Sequence, residues 1–61
     1  MAIAINPLVG NWYQGLDLQK FEVVAVDDDE AVVEIQYISG ELDEVEFETW
    51  AQMGVEKVSP P

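Results

Sequence analysis

Few residue types in this sequence could carry out catalysis. Its 61 residues include thirteen Asp and Glu and two lysines, but no histidine and no cysteine. The chain therefore lacks the commonest proton carrier at neutral pH, and it has no thiolate to serve as nucleophile or metal ligand. Paired carboxylates could transfer protons only in a cleft that shifts one pKa, and a chain this short has little room for one. We predict that the protein is not an enzyme and needs no metal or cofactor.

Four acidic residues stand in a row at residues 27–30. Carboxylate oxygens suit Ca²⁺, but the run lacks the glycine and the closing glutamate of an EF-hand loop. Aspartate is also common in hairpin loops, because its side chain accepts hydrogen bonds from nearby main-chain N–H groups. The run is therefore predicted to be an acidic hairpin loop and not a specific metal site.

A second acidic pattern alternates along the chain, with Glu44, Glu46 and Glu48 at every other position. On a strand these side chains would project from one face about 6.7 Å apart. Such a row could imitate nucleic-acid phosphates and occupy a nucleic-acid-binding protein, or it could dock on a basic protein surface. The simpler interpretation is a solvated strand edge that like charge keeps from aggregating.

The net charge of −11 limits the possible partners. Direct binding to nucleic acid depends on lysine and arginine, and an anionic membrane surface repels an acidic protein. A basic protein or peptide segment is the partner that remains, although a high net charge also serves solubility. No apolar run approaches the roughly 20 residues of a membrane-spanning helix, and the first residues lack the basic start of a signal peptide. We expect a soluble, cytoplasmic protein.

The elements that position these residues are predicted to be strands. Val, Ile, Tyr and Phe are concentrated at residues 20–26 and 31–38, as strands prefer. A three-residue connection at residues 28–30 would join the two segments into one antiparallel hairpin. It places apolar side chains opposite one another on a single face, namely Phe21 with Tyr37, Val23 with Ile35, and Ala25 with Val33.

A second connection at residues 39–41 adds a third strand, with Gly40 able to supply a positive φ. With three residues in this connection, the facing pairs are Ile35 with Val45 and Val33 with Phe47. A two-residue Ser-Gly turn would instead bury the carboxylates of Glu44 and Glu46, which is costly. The three-residue connection is therefore preferred.

Valines also occur on the opposite face of these strands, at Val24, Val26 and Val32, beside glutamates. An open sheet with one solvated face would not need them. A sheet that closes on itself would bury both faces of its second strand. The sequence therefore predicts a small barrel over residues 9–59, preceded by a lead-in segment at residues 1–8.

The first strand is predicted at residues 10–14, ahead of a loop into the central hairpin. Neighbouring residues on a strand point to opposite faces. One of Trp12 and Tyr13 should therefore enter the core, and the other should lie on the surface.

A single helical turn is predicted between Thr49 as N-cap and Gly54 as a left-handed stop. Trp50 and Met53 are three residues apart, so they share one face of the turn and should cover one end of the barrel. Residues 55–58 form a short last strand.

This order of elements resembles the SH3-like small barrel, and within it the Tudor-like group. The resemblance is carried by residues 21–27, 31–41, 45–47 and 50–54. At closer range the chain resembles a family of short, acidic, uncharacterised bacterial proteins, a domain of unknown function, at residues 9–13, 21–27 and 33–37. The second resemblance implies no activity.

The Tudor-like resemblance implies a ligand site, because such barrels often hold methylated lysine or arginine in a cage of aromatic side chains. A cation over a ring face is stabilised by up to roughly 2 kcal/mol when desolvated. The implied cage draws on Trp12, Tyr13, Phe21 and Tyr37, with a carboxylate from Asp17 or Asp43. The sequence departs from the pattern just after the third strand, where a Tudor cage usually has an aromatic residue. The alternative is that these rings only form the core.

The sequence thus predicts an all-β, five-stranded SH3-like (Tudor-like) barrel with one short helical turn before the last strand. Its predicted function is that of a small acidic interaction module for a basic protein segment. The predicted binding residues are Trp12, Tyr13, Tyr37, Asp17 and Asp43, with Glu44 and Glu46 as an acidic row. The alternatives are an acidic decoy that occupies a nucleic-acid-binding protein, or a structural or dimerising component with no separate ligand. We expect a monomer or a weak homodimer.

Overall fold

The computed structural model describes residues 5–61 and shows a β-sheet with one short helix. The elements in chain order are β1 (Trp12–Gln14), β2 (Lys20–Asp27), β3 (Val32–Tyr37), β4 (Leu42–Glu46), α1 (Phe47–Gln52) and β5 (Glu56–Val58). The strands form one antiparallel sheet in the order β4-β3-β2-β1-β5. The predicted all-β class, the five strands and the helical turn before the last strand are confirmed. Within the described residues the sheet is open, because its two end strands, β4 and β5, do not pair with each other.

The core lies between the inner face of this sheet and α1. Its buried side chains are Tyr13, Phe21, Val23, Val33, Ile35, Val45, Trp50 and Val55. The Trp50 ring contacts Tyr13 and Phe21 edge to face, with centroid distances of 5.1 and 5.8 Å. Met53 packs half-buried against the same cluster. Trp50 on α1 and Met53 directly after it therefore cover the core, as the sequence predicted.

The hairpin of β2 and β3 follows the predicted register only in its first half. Phe21 pairs with Tyr37 and Val23 with Ile35, as predicted. A β-bulge between Val23 and Ala25 then shifts the register, so the predicted pairing of Ala25 with Val33 is wrong. Two residues of a bulged strand oppose one on the partner, which reverses the faces of the residues beyond it.

Because of the bulge, Val26 lies on the inner face of the sheet where Ala25 was predicted. Val26 pairs with Val33 and packs against the core, whereas Ala25 pairs with Glu34. Because Asp27 pairs with Val32, the connection contains four residues, 28–31, instead of the predicted three.

The connection between β3 and β4 is one residue earlier than predicted. The Tyr37 N–H donates to the Glu41 carbonyl (2.9 Å) and the Gly40 N–H to the Tyr37 carbonyl (2.8 Å), so residues 38–40 form the loop. Gly40 supplies the positive φ, at 95°. The facing pairs are therefore Val33 with Val45 and Ile35 with Asp43, which corrects the predicted partners of both β3 residues. A two-residue register shift keeps each side chain on its face, so Glu44 and Glu46 still lie outside.

The helix begins earlier than predicted. It starts at Phe47, whose N–H donates to the Ala31 carbonyl (2.8 Å), and its N-cap is Glu46 without a side-chain cap bond. The prediction of Thr49 as N-cap is therefore wrong, and Phe47 is not a strand partner of Val33. Gly54 adopts the expected left-handed conformation, with φ of 63°.

The lead-in segment packs on the end of the sheet. The Trp50 indole N–H donates to the Ile5 carbonyl (2.6 Å), and the Tyr13 hydroxyl donates to the Asn6 carbonyl (3.2 Å). The Leu8 N–H donates back to the Tyr13 hydroxyl (3.0 Å). Residues 5–8 thus satisfy the polar atoms of two buried rings. The part of the predicted lead-in at residues 1–4 lies outside the described residues.

Candidate binding site

Tyr37 lies at the end of β3, where the inner face of the sheet meets solvent. Its ring packs edge to face on the buried ring of Phe21, with centroids 6.0 Å apart. The side chain is only partly buried, unlike Phe21, which is 1% exposed. Tyr37 is therefore the accessible end of the aromatic core.

Three carboxylates gather around Tyr37. Glu41 lies directly across from it, and Asp43 follows on the same face, opposite Ile35. Asp17 lies in the connection between β1 and β2, near enough for its charge to act on the Tyr37 hydroxyl. Partial burial raises the pKa of the Tyr37 hydroxyl above its ordinary 10.0, and the negative charges of Asp43, Asp17 and Glu41 raise this pKa further. We call these four residues the Tyr37 corner.

The connection that carries Asp17 is fixed by local hydrogen bonds. The Leu18 N–H donates to the Gly15 carbonyl (3.0 Å), and the Gln19 N–H donates to the Asp17 carboxylate (3.2 Å). The Gln14 side-chain amide donates to the Leu18 carbonyl (3.1 Å). These hydrogen bonds fix the backbone of this connection and the position of the Asp17 carboxylate.

The Tyr37 corner has the chemistry to bind a cation. Carboxylates accept hydrogen bonds from ammonium and guanidinium groups, and such charge-assisted bonds are stronger than neutral ones. An aromatic ring beside them adds an attraction for the same cation. The sequence predicted that Tyr37 lies near Asp17 and Asp43, and the structure brings these three together.

Of the other aromatic residues implied for the cage, Phe21 contacts Tyr37 but is buried, and Trp12 and Tyr13 do not join Tyr37. Tyr13 is 1% exposed and its hydroxyl bonds to Asn6, Leu8 and the Asn11 amide (3.4 Å), so it belongs to the core. Trp12 lies on the opposite face of β1, between Glu22 and Val58. The expectation that one ring enters the core while the other faces outward is confirmed. The predicted grouping of both rings with Tyr37 is wrong, because alternation along β1 separates them.

Glu44 and Glu46 form a separate acidic surface on the outer face of β4. Both are exposed, with Glu44 opposite Glu34 and Glu46 opposite Val32. Glu48 lies on α1, so the predicted three-residue strand row is reduced to two. Like charges directly opposite on neighbouring strands are destabilising, which makes the Glu34–Glu44 pair costly.

The acidic run spans the end of β2 at Asp27 and most of the hairpin loop that follows it. The Asp27 carboxylate accepts hydrogen bonds from the N–H groups of Asp29 (3.0 Å) and Glu30 (3.2 Å). This is the local side-chain to main-chain bonding that favours aspartate in turns. Asp27 is therefore engaged in shaping the loop.

Sequence reasoning missed the third carboxylate of the Tyr37 corner. The sequence predicts Glu41 in the connection, but Glu41 lies opposite Tyr37 because the loop ends one residue earlier. The available signal was Gly40, since three-residue hairpin loops often have glycine in the left-handed conformation at their last position. Placing Gly40 there makes Glu41 the first residue after the loop.

Comparison with known proteins gives a family but no activity. A model of a family of unknown function (DUF6763) matches residues 2–61. No curated protein and no solved structure matches the chain significantly. In the part of the chain that the structure describes, no helix is long and apolar enough to cross a membrane. What the protein does must therefore be argued from its own surface.

Proposed function

We propose that this chain, which belongs to DUF6763, a family of unknown function, is a small acidic interaction module that binds a basic protein or peptide segment at the Tyr37 corner. The observation that carries the proposal is the convergence of Asp17, Glu41 and Asp43 on one partly exposed ring. The β3–β4 hairpin brings Glu41 and Asp43 to Tyr37, and the fold adds Asp17 from the connection between β1 and β2.

The position of Asp43 supports a binding role over simple solubility. Asp43 is on the inner face of β4 and pairs with the buried Ile35. An apolar residue there would extend the core, and a charge serving solubility could be placed on the outer face. An inward charge also protects a sheet edge from pairing with other chains. The two roles differ in one respect. Only the binding role predicts that a basic peptide contacts Asp43 and that Asp43→Asn weakens its binding.

The energies involved indicate a segment and not a single residue. An exposed ion pair contributes about 0.2–1 kcal/mol, and a cation near an exposed ring adds about 0.5–1 kcal/mol. With one ion pair and one ring contact, a single lysine or arginine at the Tyr37 corner would therefore bind with a Kd of roughly 30 mM or weaker. A useful affinity requires further contacts from the same partner.

The fold we propose for this module is an SH3-like, Tudor-like barrel that is open between β4 and β5. The strand order β4-β3-β2-β1-β5, with α1 directly before β5, supports this assignment. We further propose a bacterial, cytoplasmic protein that is a monomer or weak homodimer, in keeping with the net charge of −11.

The test is an NMR titration of the ¹⁵N-labelled protein with a nine-residue peptide that contains three lysines in a Gly-Ser background. We expect the largest shifts at the amides of Tyr37, Glu41 and Asp43. Asp43→Asn should weaken binding several-fold. Glu44→Gln is the matched control, because it removes one charge from the neighbouring position on the opposite face of β4.

The outcomes separate the proposed function from its alternatives. Equal losses in the two variants would mean that only net charge attracts the peptide, and the proposal would fail. A larger loss in Glu44→Gln would favour the acidic decoy, whose binding surface is the outer face with Glu44 and Glu46. A dimer mass in sedimentation of the protein alone, with no peptide shifts, would favour the dimerising component.

A further inference from the structure

Exposed aliphatic side chains border the Tyr37 corner. Leu18 is 74% exposed and Ile38 59% exposed, and both line a shallow groove with Tyr37. They come from different connections, between β1 and β2 and between β3 and β4. The fold thus places two aliphatic side chains beside one partly exposed ring, and we call Leu18 and Ile38 the aliphatic shelf.

Leu18 is unfavourable in the isolated protein. Its φ is 66°, a left-handed conformation that costs a non-glycine residue roughly 1–2 kcal/mol. Asparagine or glycine would fit this backbone with less strain. The leucine side chain does not offset the strain by burial, because it faces solvent. A partner that covers Leu18 would supply the missing burial.

The charges around the shelf determine which occupant fits. Asp17 directly precedes Leu18, and Glu41 and Asp43 lie beside Tyr37, so the surroundings favour a cationic partner. A second copy of this chain would bring another net charge of −11. Lys20 lines the groove with Leu18 and Ile38, so a cation should bind on the Asp43 side and an uncharged side chain on the shelf.

We propose that the basic segment carries an aliphatic side chain next to its cationic residue, and that the aliphatic shelf receives it. This inference rests on the proposed function and specifies its partner as an amphipathic, extended segment. The carboxylates supply attraction and orientation. The shelf supplies the apolar contact that distinguishes this segment from any other basic one.

The experiment compares two acetylated nine-residue peptides that each keep three lysines in a Gly-Ser background. One has leucine directly before its central lysine (a Leu-Lys pair) and the other has serine there (a Ser-Lys pair). Burying part of a leucine side chain should give the Leu-Lys peptide about fivefold higher affinity in the NMR titration. Its additional shifts should appear at the amides of Leu18 and Ile38.

Leu18→Asn is the informative variant. It removes the aliphatic side chain but suits a positive φ, so the folded protein should be no less stable. We expect it to bring the affinity for the Leu-Lys peptide down to that for the Ser-Lys peptide, and to leave the Ser-Lys affinity unchanged. Leu42→Thr is the control, because Leu42 is a similarly exposed leucine (71%) on the outer face of β4.

The two proposals fail in different ways. If both peptides bind equally, or if Leu42→Thr reduces the preference as much as Leu18→Asn, the aliphatic shelf is not a binding surface and the proposed function stands alone. If neither peptide binds, the proposed function itself fails. If the protein sediments as a dimer that Leu18→Asn dissociates, a second copy occupies the shelf and the inference is overturned.

Discussion

At the scale of single residues, Tyr37 is the side chain whose chemistry its surroundings change most clearly. Burial raises the pKa of its hydroxyl, and the charges of Asp43, Asp17 and Glu41 add to this in decreasing order. The folded protein therefore holds the phenol proton more tightly than the unfolded chain does. The resulting stabilisation is fully present below pH 10, the ordinary tyrosine pKa, and is lost as the pH rises through the higher folded-state pKa.

We predict that Asp43→Asn lowers the pKa of Tyr37 more than Asp17→Asn does, and that Glu41→Gln lowers it least. Each substitution removes one negative charge that opposes formation of the tyrosinate. The measurement is an NMR titration of the ¹³Cζ resonances of labelled tyrosines, which resolves Tyr37 from Tyr13. A Tyr37 pKa that does not respond to Asp43→Asn would show that the carboxylates do not converge on this ring.

At the scale of elements, the bulge in β2 determines which valine enters the core. Without it, strict alternation would place Val24 and Val26 together on the outer face. With it, Val26 pairs with Val33 and packs against the core, and the strand still delivers Phe21 and Val23 to the inner face. One unpaired residue thus adds a larger apolar side chain to a small core.

We predict that Val26→Ala destabilises the protein by about 1 kcal/mol more than Val24→Ala. Both changes lose the same β-propensity, but only Val26→Ala removes packing against the core. The free energy of unfolding from urea denaturation measures the difference. Equal losses would show that Val26 packs no better against the core than Val24, which would contradict the effect of the bulge.

The sequence could predict those features of the elements that alternation determines. Apolar side chains alternate cleanly at Phe21 and Val23 and at Ile35 and Tyr37. The fold class, the β2–β3 hairpin and half of its register could therefore be predicted. Alternation could not locate the bulge, because valines on both sides of Ala25 fit either face. It also extended β4 to Phe47, since Val45 and Phe47 continue the period. The helix begins there because a tertiary hydrogen bond to Ala31 takes up the Phe47 N–H.

The candidate site was predictable only in part, because it also depends on loop positions and backbone conformations that alternation does not determine. Tyr37 was expected to lie near Asp17 or Asp43, because the Tudor-like resemblance implies an aromatic cage with a carboxylate. The position of Glu41 opposite Tyr37 could not be predicted, because the loop occupies residues 38–40 and not the predicted 39–41. The exposure of Leu18 depends on its left-handed backbone, which nothing in a Gly-Leu-Asp-Leu sequence indicates.

At the scale of the whole molecule, charge acts across the entire domain. The described residues span 27 × 26 × 17 Å, and the net charge is −11. The Debye length is about 30 Å at 0.01 M salt and about 3 Å at 1 M. At low salt every carboxylate therefore repels the others, and this repulsion destabilises the compact state.

We predict that NaCl stabilises the protein, with a gain of about 1 kcal/mol, or about 4–8 °C in Tm, between 0.01 and 1 M. Thermal unfolding followed by circular dichroism measures the effect. Glu44→Gln removes the facing Glu34–Glu44 repulsion, so this variant should be more stable at low salt and gain less from added salt. A Tm that falls with salt would mean that ion pairs, not repulsion, dominate the surface.

The attachment of residues 5–8 also bears on which sequences this fold tolerates. Trp50 and Tyr13 bind main-chain atoms of Ile5, Asn6 and Leu8, not their side chains. Relatives could therefore exchange these side chains through neutral substitutions and keep all three hydrogen bonds. The exception is proline at position 8, because it has no N–H to donate. The same tolerance makes residues 5–8 a suitable place to introduce a spectroscopic label on a side chain, because the main-chain hydrogen bonds to Trp50 and Tyr13 are kept.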